Sequence, residues 1–271
     1  MIIESLIKNK SPLFDCFTPK SEIKGILSIP HSGEEIPEEF KEFLSGDTTA
    51  YAKDVDYKVD ALVDIEALRE NGIIVIVSHI HRITVDLNRA RDIALFSWEN
   101  NSFGECLVKQ RPSEQRSEEL LLKYYDPYFE LLGSLLKSMA SEKKTPFSFI
   151  DLHSMPSKAT NYHLSKNPNQ KIERPDFCIS NRSGDSSTSE FIDLPVGLLK
   201  AEGHEPAIND PYFGGHITVF ANEIENVNNI QIEINRDLYM DEVARKLISE
   251  KSDKLKAHLT QALISTFNKF S

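Results

Sequence analysis

Cysteine is scarce in this chain of 271 residues, which holds only Cys16, Cys106 and Cys178. Three thiols far apart in sequence argue against a disulfide framework and against a clustered cysteine zinc site. No apolar run approaches the roughly 20 residues that a membrane-spanning helix needs. The N-terminal segment also lacks a basic region followed by a long apolar core, as a secretory leader would have. We therefore expect a cytoplasmic protein that does not bind membranes.

Lysine and arginine are also fewer than the acidic residues. Lys and Arg number 31 against 42 Asp and Glu, so the formal net charge is -11. Proteins that bind a nucleic-acid backbone usually present a basic face, so no nucleic-acid partner is expected. A local basic pocket would instead select small anionic substrates. The sequence shows no internal repeat and no dividing linker, which predicts one domain over residues 1–271.

What the sequence does contain is an alternation of apolar strands and amphipathic helices. The predicted strands are IKGILSIP (23–30), GIIVIVSHI (72–80), FSFID (147–151), RPDFCISN (174–181) and NIQIEINR, which ends at Arg236. The predicted helices cover 55–70, 115–141 with a break or restart at Pro127, 190–203 and 241–267, and 154–175 is expected to be a loop. This order predicts an α/β fold with a mixed, mostly parallel sheet flanked by helices.

Polar residues follow several of these strands, where ligands of α/β proteins gather. His31 follows the first predicted strand, Asp151 and His153 end the third, and Glu233 lies in the last one. Two histidines from different strand ends and one carboxylate would hold Zn²⁺ and leave a position open for water. The pattern favours a catalytic metal site.

The acidic ligand of that site has several candidates. Glu34 forms a His-x-x-Glu motif with His31, whereas DVDYKVD (54–60) offers Asp54, Asp56 and Asp60. Acidic residues at the start of a helix also serve as caps or as partners of the helix dipole, and at least one of these three aspartates is expected to have such a role. Spacing by itself leaves the choice open.

HRITVDLNR (81–89) carries two arginines, Arg82 and Arg89, which suit either a solvated loop or a carboxylate site. Asp86 and Asn88 would orient Arg89 for bidentate binding of a carboxylate. If the face of Glu233 lines the cleft, this carboxylate would take a proton from water and return it to a leaving amine.

Seven blocks of the sequence occur in a recognisable order: PHSG (30–33), DVDYKVD (54–60), HRITVDLNR (81–89), DLHSM (151–155), RPD (174–176), PYFGGHIT (211–218) and QIEINRDLYM (231–240). Together these blocks resemble the N-formylglutamate amidohydrolase family. The resemblance implies a phosphorylase/hydrolase-like fold, related to zinc carboxypeptidases and aspartoacylases. It also implies hydrolysis of N-formyl-L-glutamate to formate and L-glutamate in histidine degradation, with Zn²⁺ or another divalent metal.

The resemblance further implies roles for single residues. His31 and His153 fall on the metal-binding histidines, with Asp56 slightly ahead of Asp54 as the acidic ligand and Glu34 as the carboxypeptidase-like alternative. Glu233 falls on the general base, and Arg82 would stabilise the oxyanion or bind a carboxylate. Substrate contacts are expected from Arg89, Asn88, Ser32, His216 and Gly215, and orienting contacts from Asp151 and Asp86.

Two other functions stay open at this point. A related metallohydrolase would cleave another N-acyl amino acid or a cell-wall peptide. Lys58 and Ala61 stand where many members of the family have His and Arg, and these positions bear on the choice of amide. A non-catalytic module that binds small carboxylates would keep the arginines and bind no metal.

Overall fold

The computed structural model describes residues 11–271; residues 1–10, on which the expectation of no leader partly rests, lie outside the described residues. The strands are β1 (Phe14–Phe17), β2 (Gly25–Ile29), β3 (Ile73–Ser78), β4 (Phe147–Met155), β5 (Phe177–Ser180), β6 (Pro206–Ile208), β7 (Val227–Asn235), β8 (Met240–Asp241) and β9 (Lys246–Leu247). The helices are α1 (Thr48–Tyr51), α2 (Ile65–Glu70), α3 (Glu114–Tyr124), α4 (Asp126–Glu142), α5 (Asn161–Lys166), α6 (Ser189–Ala201), α7 (His216–Asn222) and α8 (Ser249–Lys269). None of these helices is long and apolar enough to cross a membrane.

Seven strands form one sheet in the order β1-β3-β2-β4-β7-β5-β6. The central strands β3, β2, β4 and β7 run parallel, β1 is antiparallel to β3, and β5 is antiparallel to β7 and parallel to β6. Apolar clusters cover both faces, one built with α3 and α4 and the other with α6 and α8. The predicted α/β class with a mixed, mostly parallel sheet flanked by helices is confirmed.

Burial explains the residue pattern of the strands. β2 and β3 are buried at every position, as expected for parallel strands covered on both faces. β7 alternates instead, because Ile230, Ile232 and Ile234 enter one apolar cluster while Gln231 and Glu233 point to the opposite face. β7 therefore packs against the apolar core on one face and carries buried polar side chains on the other.

The helix predicted over 55–70 is wrong in its first half. Only Ile65–Glu70 is α-helical, and it begins where the Asp64 side chain accepts a hydrogen bond from Ala67 N at 3.0 Å. Before it, Lys58 has a left-handed φ of 57° and Val59–Leu62 forms a single 3₁₀ turn. The segment around Asp56 is consequently an irregular loop that can approach the sheet edge.

The helix predicted over 241–267 begins eight residues late, at Ser249. The Asp241 side chain accepts hydrogen bonds from Val243 N and Ala244 N, both at 2.9 Å, and thereby turns the chain. β8 and β9 pair across this turn. The 154–175 stretch, predicted to be a loop, contains the short helix α5.

Glu39 ties the segment after β2 to helix α3, and this contact gives a prediction about acid stability. Its carboxylate accepts hydrogen bonds from Arg116, Lys123 and Tyr124. Burial acts to raise the pKa of Glu39, but these donors outweigh it and lower the pKa from 4.5 to about 2. Because the folded-state pKa is the lower one, the stabilisation is present above pH 4.5 and is lost as the pH falls toward 2.

Glu39→Gln is therefore expected to lower the free energy of unfolding by about 1 kcal/mol at neutral pH and by much less near the acid end of this window. Urea unfolding at several pH values measures the difference. Glu119→Gln is the matched control, since Glu119 also contacts Arg116 but is half exposed. A destabilisation by Glu39→Gln that does not change with pH would contradict the prediction.

Candidate active site

Strand register brings the polar residues of β4 and β7 together. His153 lies opposite Glu233, and Asp151 lies opposite Gln231, in the parallel pairing of these strands. Alternate residues of a strand share one face, so all four side chains project from the same face of the sheet. His31 follows β2, the other neighbour of β4. The topology thus collects residues from three strands at one edge.

The loop that carries Asp56 completes this cluster. Asp56 N donates a hydrogen bond to His31 O at 3.2 Å, which holds the loop against the end of β2. Asp56 Oδ2 lies 3.1 Å from His153 Nδ1 and 3.7 Å from His31 Nδ1. One ligand atom from each of the three residues lies within 4.8 Å of the others, and all three side chains are buried. Such a group can enclose a metal ion.

The far sides of both imidazole rings contact carboxylates. His153 Nε2 lies 2.7 Å from Asp151 Oδ2, and His31 Nε2 lies 2.9 Å from Asp86 Oδ1. Carboxylates on the far nitrogens orient metal-binding histidines and leave the near nitrogens as ligands. His31 Nδ1 is buried and has no hydrogen-bond partner among residues 11–271. Two imidazole nitrogens and one carboxylate oxygen therefore fit a catalytic divalent ion.

Asp56 is held so that one oxygen faces the histidines. Its Oδ1 accepts hydrogen bonds from Ser154 Oγ at 3.2 Å and from Arg236 Nη2 at 3.4 Å. Arg236 also donates through Nε to Ser154 Oγ at 3.1 Å. These contacts occupy Oδ1 and leave Oδ2 directed at the two Nδ1 atoms.

The other acidic candidates have different partners. Asp54 accepts hydrogen bonds from Ser102 N at 2.8 Å and from Ser102 Oγ at 2.7 Å. Glu34 pairs with Lys58 at 3.7 Å and with Arg245 at 3.5 Å, and its side chain is 42% exposed. The structure therefore brings Asp56, and neither Asp54 nor Glu34, beside the two histidines.

Burial and close charges shift the pKa values in this cluster. Burial, together with the charge of Arg82, lowers the pKa of His31 to about 4. Burial also raises the pKa of Glu233 to about 8, with the Asp56 charge adding to the rise and the His153 charge opposing it. In Asp56 the opposing contact with His153 outweighs burial and holds the pKa well below its usual range. A carboxyl group that titrates near neutrality suits proton transfer.

A relay of amides fixes the position of Glu233. Gln231 Nε2 donates to Glu233 Oε1 at 2.8 Å, and Gln231 Oε1 accepts from Gly215 N at 2.7 Å and Asn88 Nδ2 at 3.3 Å. Asn88 Oδ1 accepts from Ile217 N at 3.0 Å. A Cβ at Gly215 would lie 2.2 Å from Asn88 Nδ2, so this position needs glycine. Asn88 and Gly215, predicted as substrate contacts, thus also support Glu233.

Arg82 and Arg89 lie on the wall of a pocket of about 370 Å³ that also exposes His31, His153 and Glu233. Arg82 Nη2 donates to Asp86 Oδ2 at 2.9 Å, and Trp98 Nε1 donates to the same oxygen at 3.2 Å. Arg89 forms no ion pair within residues 11–271, and its Nη1 donates to Asn88 O at 3.3 Å. Arg89 is thus available for a carboxylate.

Two predicted substrate contacts lie away from the pocket wall. Ser32 is only 7% exposed and does not line the pocket. His216 begins α7, where its ring lies 5.5 Å from the Phe129 ring. Their contact with substrate stays a prediction.

A model of the N-formylglutamate amidohydrolase family matches residues 23–240, which include the whole cluster. The chain belongs to the N-formylglutamate amidohydrolase family. The predicted membership is confirmed, and with it the class of enzyme, a hydrolase that acts on amides.

Solved structures agree on the fold. The N-formylglutamate amidohydrolase from Ralstonia eutropha JMP134 has a TM-score of 0.84 at 22% identity, covering 96% of this chain and 99% of that chain. A gene product from Agrobacterium tumefaciens has a TM-score of 0.70 at 15% identity, covering 94% and 96% of the two chains. No curated protein matches the sequence. At these identities, the likeness establishes the fold of the family and nothing finer.

Three supporting residues of this family member were not assigned roles from the sequence. Gln231 and Arg236 lie in the QIEINR block, from which only Glu233 was chosen, and Ser154 lies in DLHSM, from which Asp151 and His153 were chosen. A usable signal was the period of two in β7, which places Gln231 on the face of Glu233. The contacts of Ser154 and Arg236 with Asp56 join distant segments and have no such local signal.

Proposed function

We propose that the protein hydrolyses the formyl amide of N-formyl-L-glutamate to formate and L-glutamate. Zn²⁺ or another divalent ion would be held by His31, Asp56 and His153. The observation that carries this proposal is the buried, unpartnered Nδ1 of His31, which faces the Asp56 carboxylate and the His153 ring. Histidine degradation in the cytoplasm is the proposed setting, as the resemblance implies.

When bound, the ion supplies a Lewis acid that polarises the amide carbonyl and acidifies water. Glu233 takes the proton of the attacking water and passes it to the amide nitrogen as the C–N bond breaks. Arg82, fixed by Asp86, stabilises the negative charge that develops on the carbonyl oxygen. Arg89 anchors the α-carboxylate of the substrate.

The pocket supports a small anionic substrate. Arg82, Arg89 and Arg236 all line it, as does Lys166. Lys58 and Ala61, the positions where the chain departs from many family members, do not line it. Recognition of the amide is accordingly assigned to the pocket arginines and not to those two positions.

Metal content and formate release, measured on the same preparation before chelation, after it and after zinc return, test the proposal. About one metal per chain is expected, with formate release lost on chelation and recovered with zinc. Bound metal without formate release would redirect the assignment to another N-acyl amino acid or a cell-wall peptide. Neither metal nor activity after zinc addition would favour the carboxylate-binding module.

A further inference from the structure

Arg174, the first residue of the RPD block, has no role in the chemistry above. Its side chain is 7% exposed, and its three guanidinium nitrogens are buried without a hydrogen-bond partner among residues 11–271. Leaving a charge buried and unpaired is costly, so buried guanidinium groups are normally matched by an anion. No carboxylate of residues 11–271 supplies that match, which points to an anion from outside the chain.

The guanidinium lies beside the pocket that holds the metal cluster. The guanidinium carbon of Arg174, Cζ, lies 5.1 Å from the centre of the Tyr212 ring. Tyr212 lines the pocket together with Glu233. The backbone is fixed nearby, because Arg174 O accepts a hydrogen bond from Asn235 Nδ2 at 3.2 Å. Asn235 is two residues beyond Glu233 on β7 and shares its face. Tyr212 thus separates Arg174 from the pocket interior.

His163 adds a second donor on the same wall. Thr160 N donates to His163 Nδ1 at 3.1 Å, so that nitrogen is an acceptor and the ring proton resides on Nε2. Burial lowers the pKa of His163 to about 4, and the Arg174 charge adds to the effect, which keeps the ring neutral. His163 Nε2 lies 3.5 Å from the Tyr212 hydroxyl, and both residues line the pocket. Arg174, Tyr212 and His163 together offer donors suited to a carboxylate.

We propose that Arg174, with Tyr212 and His163, binds the side-chain carboxylate of an acidic N-acyl amino acid. This inference rests on the proposed function and assigns the residues that select the side chain of its substrate. Arg89 lies on the pocket wall, forms no ion pair within residues 11–271 and takes the α-carboxylate, so the two carboxylates of the substrate have separate partners. Because Tyr212 covers the guanidinium, its ring would have to turn aside for the carboxylate to reach Arg174.

The test compares N-formyl-L-glutamate with N-formyl-L-glutamine, which has the same length and a neutral side chain. Arg174→Gln is expected to lower kcat/KM for the glutamate substrate about 100-fold, mainly through KM, because a charge-assisted bidentate contact is lost. For the glutamine substrate the expected loss is under about threefold. Arg111→Gln, which removes an exposed arginine outside this pocket, is the matched control and should change neither value. Equal losses for both substrates, or no loss, would overturn the proposal.

Two further measurements test the subsite if Arg174→Gln does not fold or if the proposed function is wrong. Tyr212→Phe keeps the ring and removes the hydroxyl, and it should lower kcat/KM for the glutamate substrate alone, by about tenfold. If neither amide is cleaved, the proposed function fails, and calorimetry with L-glutamate and L-glutamine on zinc-loaded protein still tests the subsite. Tighter binding of L-glutamate that disappears in Arg174→Gln supports it. Equal binding, or no binding of either amino acid, overturns it.

Discussion

Glu233→Gln is expected to lower kcat for formate release by about a thousandfold or more, because an amide cannot accept the proton of the attacking water. The change keeps the size of the side chain and an oxygen that can accept the Gln231 hydrogen bond. His31, Asp56 and His153, which are proposed to hold the metal, are untouched, so metal content should stay at the wild-type value. KM should change little, since the arginines proposed to bind the substrate carboxylates remain in place. Steady-state kinetics and elemental analysis on the same preparation measure all three quantities.

The matched control is Glu223→Gln, which makes the same chemical change at the exposed end of α7. Wild-type kinetics are expected for this variant. Near-normal turnover in Glu233→Gln would remove Glu233 from the role of general base. A parallel loss of metal would instead show that Glu233 supports the cluster and does not act in proton transfer.

Asp56→Asn is expected to weaken metal binding by about 100-fold or more and to abolish formate release at limiting zinc. Asparagine retains an oxygen for Ser154 and Arg236, so the loop keeps its support. The oxygen that faces His31 and His153 becomes an uncharged amide, which is a poor ligand for a divalent ion. Competition with a chromogenic chelator measures the dissociation constant directly, independent of turnover.

Asp54→Asn and Glu34→Gln serve as the paired controls, because each was a candidate for the same ligand. Both variants should bind metal as tightly as the wild type, since Asp54 contacts Ser102 and Glu34 pairs with Lys58 at the surface. Tight binding in Asp56→Asn combined with metal loss in either control would reassign the third ligand. The three variants thus decide among the alternatives that the sequence left open.

Prediction from the sequence worked best for strands whose residue pattern is set by their own burial. Buried apolar runs predicted β2, β3, β4 and β7, because strands covered on both faces or on one face have few acceptable residue patterns. It failed at helix starts, where 55–70 and 241–267 were drawn too long. In both cases an aspartate side chain, Asp64 or Asp241, bonds to backbone N–H groups and ends the preceding loop or turns the chain.

By itself the sequence determined strands β2, β3, β4, β5 and β7, the family, and the placement of His31, His153 and Glu233 in or just after strands, because these depend on residue pattern within single segments. The short strands β1, β6, β8 and β9 were not predicted. Only the tertiary structure decided which acidic residue joins the histidines. Asp56 is selected by contacts with His31, Ser154 and Arg236, and Arg236 is 180 positions away in the chain. Such contacts form when strands separated in sequence become neighbours in the sheet. The spacing of residues within one segment does not predict which strands will pair.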